Sequence, residues 1–216
     1  MSIGLSSVSV PLFICIHMKP KEDIEIIYRA ALKVFARYGF KKATVEDIAG
    51  ELGMTKGNLY RYAKNKKVLY QQTVAWALRR WQNRVVEAVA DETDPRQQFL
   101  TMCRKAVDYL SEDDDFRQVL VHDPDIFPMF PSQDPFEEIN ANSVDMIRSI
   151  LLRGMDENRF RRIEPEKVSQ VIFLVYKMLI IRTYLKSQGA DEKKLMMEMF
   201  EAALELLTKG LFEQSV

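Results

Sequence analysis

Residues 44–69, TVEDIAGELGMTKGNLYRYAKNKKVL, constrain the fold of this 216-residue chain more than any other stretch, because they fix two short helices and the turn between them. Thr44 with Asp47 three residues later is a capping-box pattern: the hydroxyl accepts from an orphan amide, and the acid complements the positive first turn. Ile48, Ala49 and Leu52 give that helix a short apolar face. Gly53 stands where the chain must leave it, since glycine takes a left-handed backbone without a Cβ penalty. Thr55 then caps a second helix that the pattern extends to about Tyr62, with Leu59 as its buried anchor. Two short helices across a turn of three or four residues make a helix-turn-helix unit.

The second helix is chemically one-sided. Across residues 54–67 the charged side chains are Lys56, Arg61, Lys64, Lys66 and Lys67, with no acid and with Tyr60 and Tyr62 interleaved. Alone, such a run is more often a solvated helix face; beside this turn it suits nucleic-acid phosphates. The chain as a whole is balanced, with 31 basic and 31 acidic residues, but the charge is unevenly placed. Residues 19–67 hold 12 Lys and Arg against 6 Asp and Glu, which leaves 19 against 25 for residues 68–216. A positive footprint confined to one end is an electrostatic signature of DNA binding by that end.

Ahead of the unit, Ile24, Ile27, Ala31, Val34, Phe35 and Tyr38 fall at helical spacing and Gly39 ends the run, which predicts a first helix over residues 22–38. With Phe35, Gly39 and Phe40, the positions Thr44, Val45, Ile48, Ala49, Gly53, Met54, Lys56, Gly57, Leu59, Tyr60, Tyr62, Lys64, Asn65, Lys66 and Leu69 resemble the amino-terminal domain of the TetR/AcrR transcriptional regulators, over residues 22–70. Two positions depart from that pattern. Ala63 replaces a usual large aromatic and would loosen local packing, and Lys67 replaces a common acid and adds charge toward DNA. The resemblance implies an all-α fold: a three-helix DNA-binding head (residues 19–66) carrying the helix-turn-helix, and a larger helical ligand-binding and dimerisation domain (residues 67–216), about nine helices in total.

The chemistry of the second helix assigns base-edge contacts to Lys56, Asn58 and Arg61, because long cations suit guanine acceptors and an amide pairs with adenine. Gly57 permits close backbone approach, and Thr55 belongs to the same DNA-binding surface. The resemblance implies phosphate contacts from Thr44, Tyr60, Tyr62 and Lys66, with Val45 or Glu46 also reaching the groove. For Tyr60 and Tyr62 the alternative is packing of the ring on the first helix, and a surface hydroxyl permits both. One recognition helix reads few base pairs, so a double-stranded, palindromic operator bound by a two-fold dimer is expected.

Beyond the head, Tyr70, Val74, Ala77, Trp81, Val85 and Ala88 predict a long connecting helix starting at about Lys66. Pro95 opens another, with Phe99, Met102, Cys103, Ala106 and Leu110 on one face, and the acidic residues 112–115 interrupt it and start the next. Four of the eight prolines lie in residues 124–135, PDIFPMFPSQDP, which argues against regular helix and leaves either a lid over an effector cavity or a cap on the core. Helices are then expected over residues 136–158, from Glu164 and Pro165 to about Ser187, and from Asp191 onward. Residues 168–185 are apolar on nearly every side yet too short and too flanked by charge to cross a membrane, where ~20 residues are needed. This helix and the last, with Leu195, Met199, Ala202, Leu206 and Leu211, are read as a homodimer interface forming a four-helix bundle.

Trp76, Trp81, Phe99, Met102, Phe116, Phe127, Phe173 and Tyr176 are the candidate effector-lining residues, a set that favours an apolar or aromatic molecule. Any one of them fits plain helical core equally well. The resemblance implies that such an effector moves the connecting helix, changes the spacing of the two heads and releases the operator, as in a repressor. The rival is an architectural DNA binder with no effector site. An enzyme is disfavoured: only His17 and His122 are present, and no nucleophile–base pair is visible. His122 beside Asp123 and Asp125 reads as a solvated loop rather than a metal site, and no cofactor is expected. Cys15 and Cys103 are too few for a disulfide scaffold, so a reducing cytoplasm is the expected setting, with Cys103 filling core. The first 18 residues carry no charged side chain and include an apolar run at 8–16, but lack the basic start of a signal peptide. They are read as an extension before a true start at Met18.

Overall fold

The computed structural model describes residues 20–123, 126, 134–181 and 190–212. Among these, nine helices form and no strand, apart from one antiparallel bridge between Phe160 and Phe212. The helices are α1 (Pro20–Lys42), α2 (Val45–Glu51), α3 (Lys56–Leu59), α4 (Lys66–Val89), α5 (Pro95–Glu112), α6 (Asp114–His122), α7 (Glu137–Asp156), α8 (Pro165–Ile181) and α9 (Ala190–Leu211). The all-α expectation and its helix count hold. The 1–18 extension, Phe127 with most of the 124–135 segment, and the expected end of α8 near residue 187 lie outside the described residues.

Local sequence explains the punctuation. Gly39 breaks α1 with φ 69° and ψ 163°, a backbone that strains any residue with a Cβ, and packs against the imidazole of His122. Asn65 caps α4 through Val68 N–H, Asp94 caps α5 ahead of Pro95 in its first turn, and Asp113 caps α6 through Phe116 N–H. Each boundary was carried by a residue type whose side chain competes for backbone amides.

Two apolar cores stack along the molecule. The first joins α1, α2 and α3 to the first half of α4 and to α6, through Phe35, Ile48, Leu59, Leu69, Val74, Phe116 and Leu120. Here Tyr70 is met edge-on by Phe35 at 4.9 Å and at a tilt by Phe40 at 4.8 Å. The second core joins the far half of α4 to α5, α7, α8 and α9, through Val85, Phe99, Val107, Leu151, Ile172 and Leu204. Trp81 and Tyr176 touch both. The head is therefore not a bead on a string: α1 packs directly on α6, and burial of Phe35 and Phe116, each essentially complete, is worth several kcal/mol apiece by the usual ~3–5 kcal/mol cost of removing such a ring.

Two sequence expectations need correction. Tyr38, placed on the apolar face of α1, is 44 % exposed and lies beside the Arg37 guanidinium, because it faces outward immediately before the Gly39 break. The recognition helix has only one regular turn. Beyond Leu59 the chain continues to Tyr62 through i→i+3 bonds from Arg61 N–H to Asn58 O and from Tyr62 N–H to Leu59 O.

Candidate nucleic-acid interface and internal cavity

The helix-turn-helix is built as its residues dictate. Thr44 Oγ1 accepts from Asp47 N–H at 3.1 Å, while the Thr44 amide and hydroxyl both donate to Asp47 Oδ2, at 2.9 and 2.6 Å. Those bonds hold the Asp47 carboxyl below its ordinary range. Gly53 turns with φ 62°, and Met54 N–H closes the turn on Ala49 O at 2.9 Å. Thr55 Oγ1 accepts from Asn58 N–H at 3.3 Å, which leaves its own proton able to donate outward. Leu59, 1 % exposed, pins the short helix to the core.

This framework leaves Thr55, Lys56, Gly57, Asn58, Tyr60 and Arg61 all exposed around the one-turn helix. A Cβ at Gly57 would meet nothing nearer than Thr55 Oγ1 at 3.9 Å, so glycine is not demanded there by the head's own packing. Lys56 is not idle: its ammonium bonds Glu46 Oε1 at 2.5 Å and lies 5.7 Å from the centre of the Tyr60 ring. The pair raises the lysine's pKa and lowers the glutamate's. Tyr60 is 42 % exposed, whereas Tyr62 is half-buried with its side chain against the head core.

Three expected contact residues are placed otherwise. Val45 is 6 % exposed and belongs to the core, so its side chain does not face outward. Both donors of Thr44 are engaged by Asp47, as the cap of α2. The Lys66 ammonium turns inward, donating to Phe40 O at 2.8 Å, Ala43 O at 3.0 Å and Lys41 O at 3.4 Å, above the Phe40 ring at 4.7 Å. An ammonium has three hydrogens, and these carbonyls take them. Lys66 is a strut between α4 and the carboxyl end of α1. Ala63, 6 % exposed, is packed in the head core, and Lys67 is exposed.

A cavity of about 70 Å³ lies where the two cores meet, walled by α4, α5, α7 and α8. Of the predicted lining residues, Trp81, Met102, Phe173 and Tyr176 border it. Trp76 instead stacks near Tyr28 and Arg80, Phe99 lies among Phe160 and Phe212, and Phe116 is sealed in the head-side core; these three are structural. Trp81 is fixed by its indole N–H bond to Ala106 O at 2.8 Å. Sequence reasoning, which looked for aromatics, missed the polar part of the wall: Gln82, Asn140, Ser143 and Lys177. Its one available signal was Lys177, the single charge interrupting VIFLVYKMLII. Cys103 also faces this space, and burial pushes its thiol up to about 12, which removes it as a nucleophile near neutral pH.

On the outer side, α8 exposes Val171, Leu174 and Met178, and α9 exposes Leu195, Met199 and Leu206, each set at helical spacing, while Ile172, Phe200 and Leu204 on their other faces are buried. No helix among the described residues is long and apolar enough to cross a membrane, and no cluster of three metal-ligating side chains occurs among them.

Comparison with known proteins agrees with this geometry. Residues 27–73 match the family model described as bacterial regulatory proteins, tetR family. Over 160 residues the chain is 22% identical to the uncharacterized HTH-type transcriptional regulator YhgD of Bacillus subtilis (strain 168), an alignment covering 72% of this chain and 81% of that one. The fold is shared with a TetR transcription regulator from Haloarcula marismortui (TM-score 0.75, 17% identity, 88% of this chain and 99% of that chain). It is shared as well with FadR of Bacillus subtilis solved in complex with stearoyl-CoA (TM-score 0.66, 19% identity, 82% and 96%).

Proposed function

We propose that this chain, a transcriptional regulator of the TetR family, is a homodimeric repressor that leaves a palindromic operator when a small apolar or aromatic effector enters the cavity. The observation that carries this reading is the position of the cavity: it lies at the seam between the two cores, against α4, the same helix that Lys66 fastens to the head. A ligand that fits only one arrangement of that seam changes the balance between arrangements by its difference in affinity. The apolar stripes of α8 and α9 support dimerisation through those helices, in a four-helix bundle. FadR's complex with stearoyl-CoA supports an apolar effector for a chain of this fold.

In this reading residues 19–66 read DNA and residues 67–216 dimerise and bind ligand. Lys56, Asn58 and Arg61 contact base edges, Thr55, Tyr60 and Tyr62 hold phosphates through hydroxyls, and Gly57 admits the backbone. Lys66 supports this surface from behind.

The test begins by selecting bound sequences from a random DNA pool and then titrating the selected operator by fluorescence anisotropy with a metabolite panel. Expected are a two-fold site with half-sites about one turn apart, and ligands that both raise the melting temperature and lower operator affinity. An architectural binder would give operator binding that no ligand changes, and Lys56→Ala with unchanged sequence preference would refute the base-contact assignment.

A further inference from the structure

The cavity wall is chemically divided. The part contributed by α5 is Met102, Cys103 and Ala106, with no charge. The polar part is continuous: Gln82 donates to Ile139 O at 3.0 Å and Ser143 Oγ at 2.8 Å, and the neighbouring Asn140 amide donates to Asp134 Oδ2 at 2.6 Å. These amide hydrogens hold α4 to α7 and brace the start of α7, so they serve the framework first. Lys177 is the one charged residue in the described lining.

Lys177 sits at the middle of the apolar helix α8, half-buried, its ammonium 5.8 Å from the centre of the Phe173 ring. Burial lowers its pKa, and Asp134 opposes that shift. Asp134 is itself held by Phe136 N–H at 2.8 Å and by Asn140. A partly desolvated cation beside an apolar space gains more from an incoming anion than one in water does, because the local dielectric is lower.

We propose that the effector is an amphiphilic carboxylate, with its head on the Lys177 ammonium and its apolar body against the α5 wall. This rests on the ligand-controlled reading above and names the ligand class of that site. The space sets the size: at ~10–15 Å³ for each water-sized group, 70 Å³ holds roughly five to seven non-hydrogen atoms. Met102 and Met146, flexible and polarisable, allow a somewhat longer chain by changing rotamer.

The experiment compares pentanoate, pentan-1-ol and pentylamine at neutral pH by calorimetric titration of the full-length protein, with Lys177→Met and Lys177→Arg variants. Expected are pentanoate binding about tenfold tighter than pentan-1-ol, and pentylammonium weakest. Lys177→Met should erase the carboxylate preference while keeping pentan-1-ol affinity, and Lys177→Arg should preserve it. Equal binding of pentanoate and pentan-1-ol, or a preference that survives Lys177→Met, overturns the carboxylate head and leaves an apolar effector standing. Tightest binding by pentylammonium assigns the head site to Asp134 and overturns it also. If none of the three binds, the proposal is overturned, and operator release by another member of the metabolite panel shows whether ligand control itself survives.

Discussion

Tyr70 ties α4 to α6, the two helices on which α1 packs, by one bond whose worth is calculable. Its hydroxyl donates to Asp123 Oδ2 at 2.7 Å, linking the second turn of α4 to the end of α6. The ring is 8 % exposed, and burial together with the Asp123 carboxylate raises the phenol's pKa. Tyr70→Phe keeps the packing on Phe35 and Phe40 and deletes only the hydroxyl. A hydrogen bond to a charged group contributes ~1.5–3 kcal/mol; because Asp123 is only part-buried, solvent screening puts this one near the lower end, about 1.5 kcal/mol. For a chain of this size that loss lowers the melting temperature by about 3–6 °C, measured at fixed protomer concentration so that dimer dissociation does not enter the difference. Asp123→Ala and the double variant complete a cycle whose coupling should be about 1.5 kcal/mol. Effector affinity should be unchanged, since neither residue borders the cavity. A coupling below about 0.3 kcal/mol refutes the bond as a tie between α4 and α6.

Gly154→Ala should destabilise the distal core by about 1–3 kcal/mol in urea unfolding, because a Cβ there would lie 2.6 Å from Phe160 Cγ in a ring already stacked on Phe212. Glu46→Gln removes the acid that pairs Lys56, so binding to arbitrary DNA should strengthen and its salt dependence should steepen by about one counterion; an unchanged slope counts against a DNA-facing Lys56. Leu174→Glu combined with Leu206→Glu should give a monomer by sedimentation with weakened operator binding, and an intact dimer would remove α8 and α9 as the interface. Asp47 has a folded-state pKa below its ordinary 3.8, so its contribution is present above that value and is lost as pH falls through the folded one; acid unfolding of the wild type should show this loss, and a Thr44→Val variant should not.

The head was legible because its information is local. Thr44, Gly53, Thr55 and Asn65 act on backbone groups within a few residues of themselves, so sequence spacing is enough to place them. The pocket was only half legible because lining is a long-range property. Trp81 and Phe99 share the same kind of helical stripe, yet one borders the cavity and the other is closed off by Phe160 and Phe212, residues some sixty and more positions away. Lys66 shows a third case: its charge was read correctly and its direction was not. Direction depended on three carbonyls left open where Gly39 breaks α1, and that geometry exists only after folding.

That inward lysine has a mechanical consequence. With its base pinned to three carbonyls, α4 cannot swivel beneath the head, so helix and head move as a single lever. From its cavity-lining residues, Leu78 to Val85, back to Lys66 the helix spans roughly 23 Å at 1.5 Å per residue. A tilt of about 5° at the cavity then displaces the head by roughly 2 Å, and in the proposed two-fold pair moving oppositely the separation changes by roughly 4 Å, against half-sites about 34 Å apart. That is a little over one base-pair step, enough to put the second recognition helix out of register with its groove although no atom of the DNA-reading surface has been rearranged.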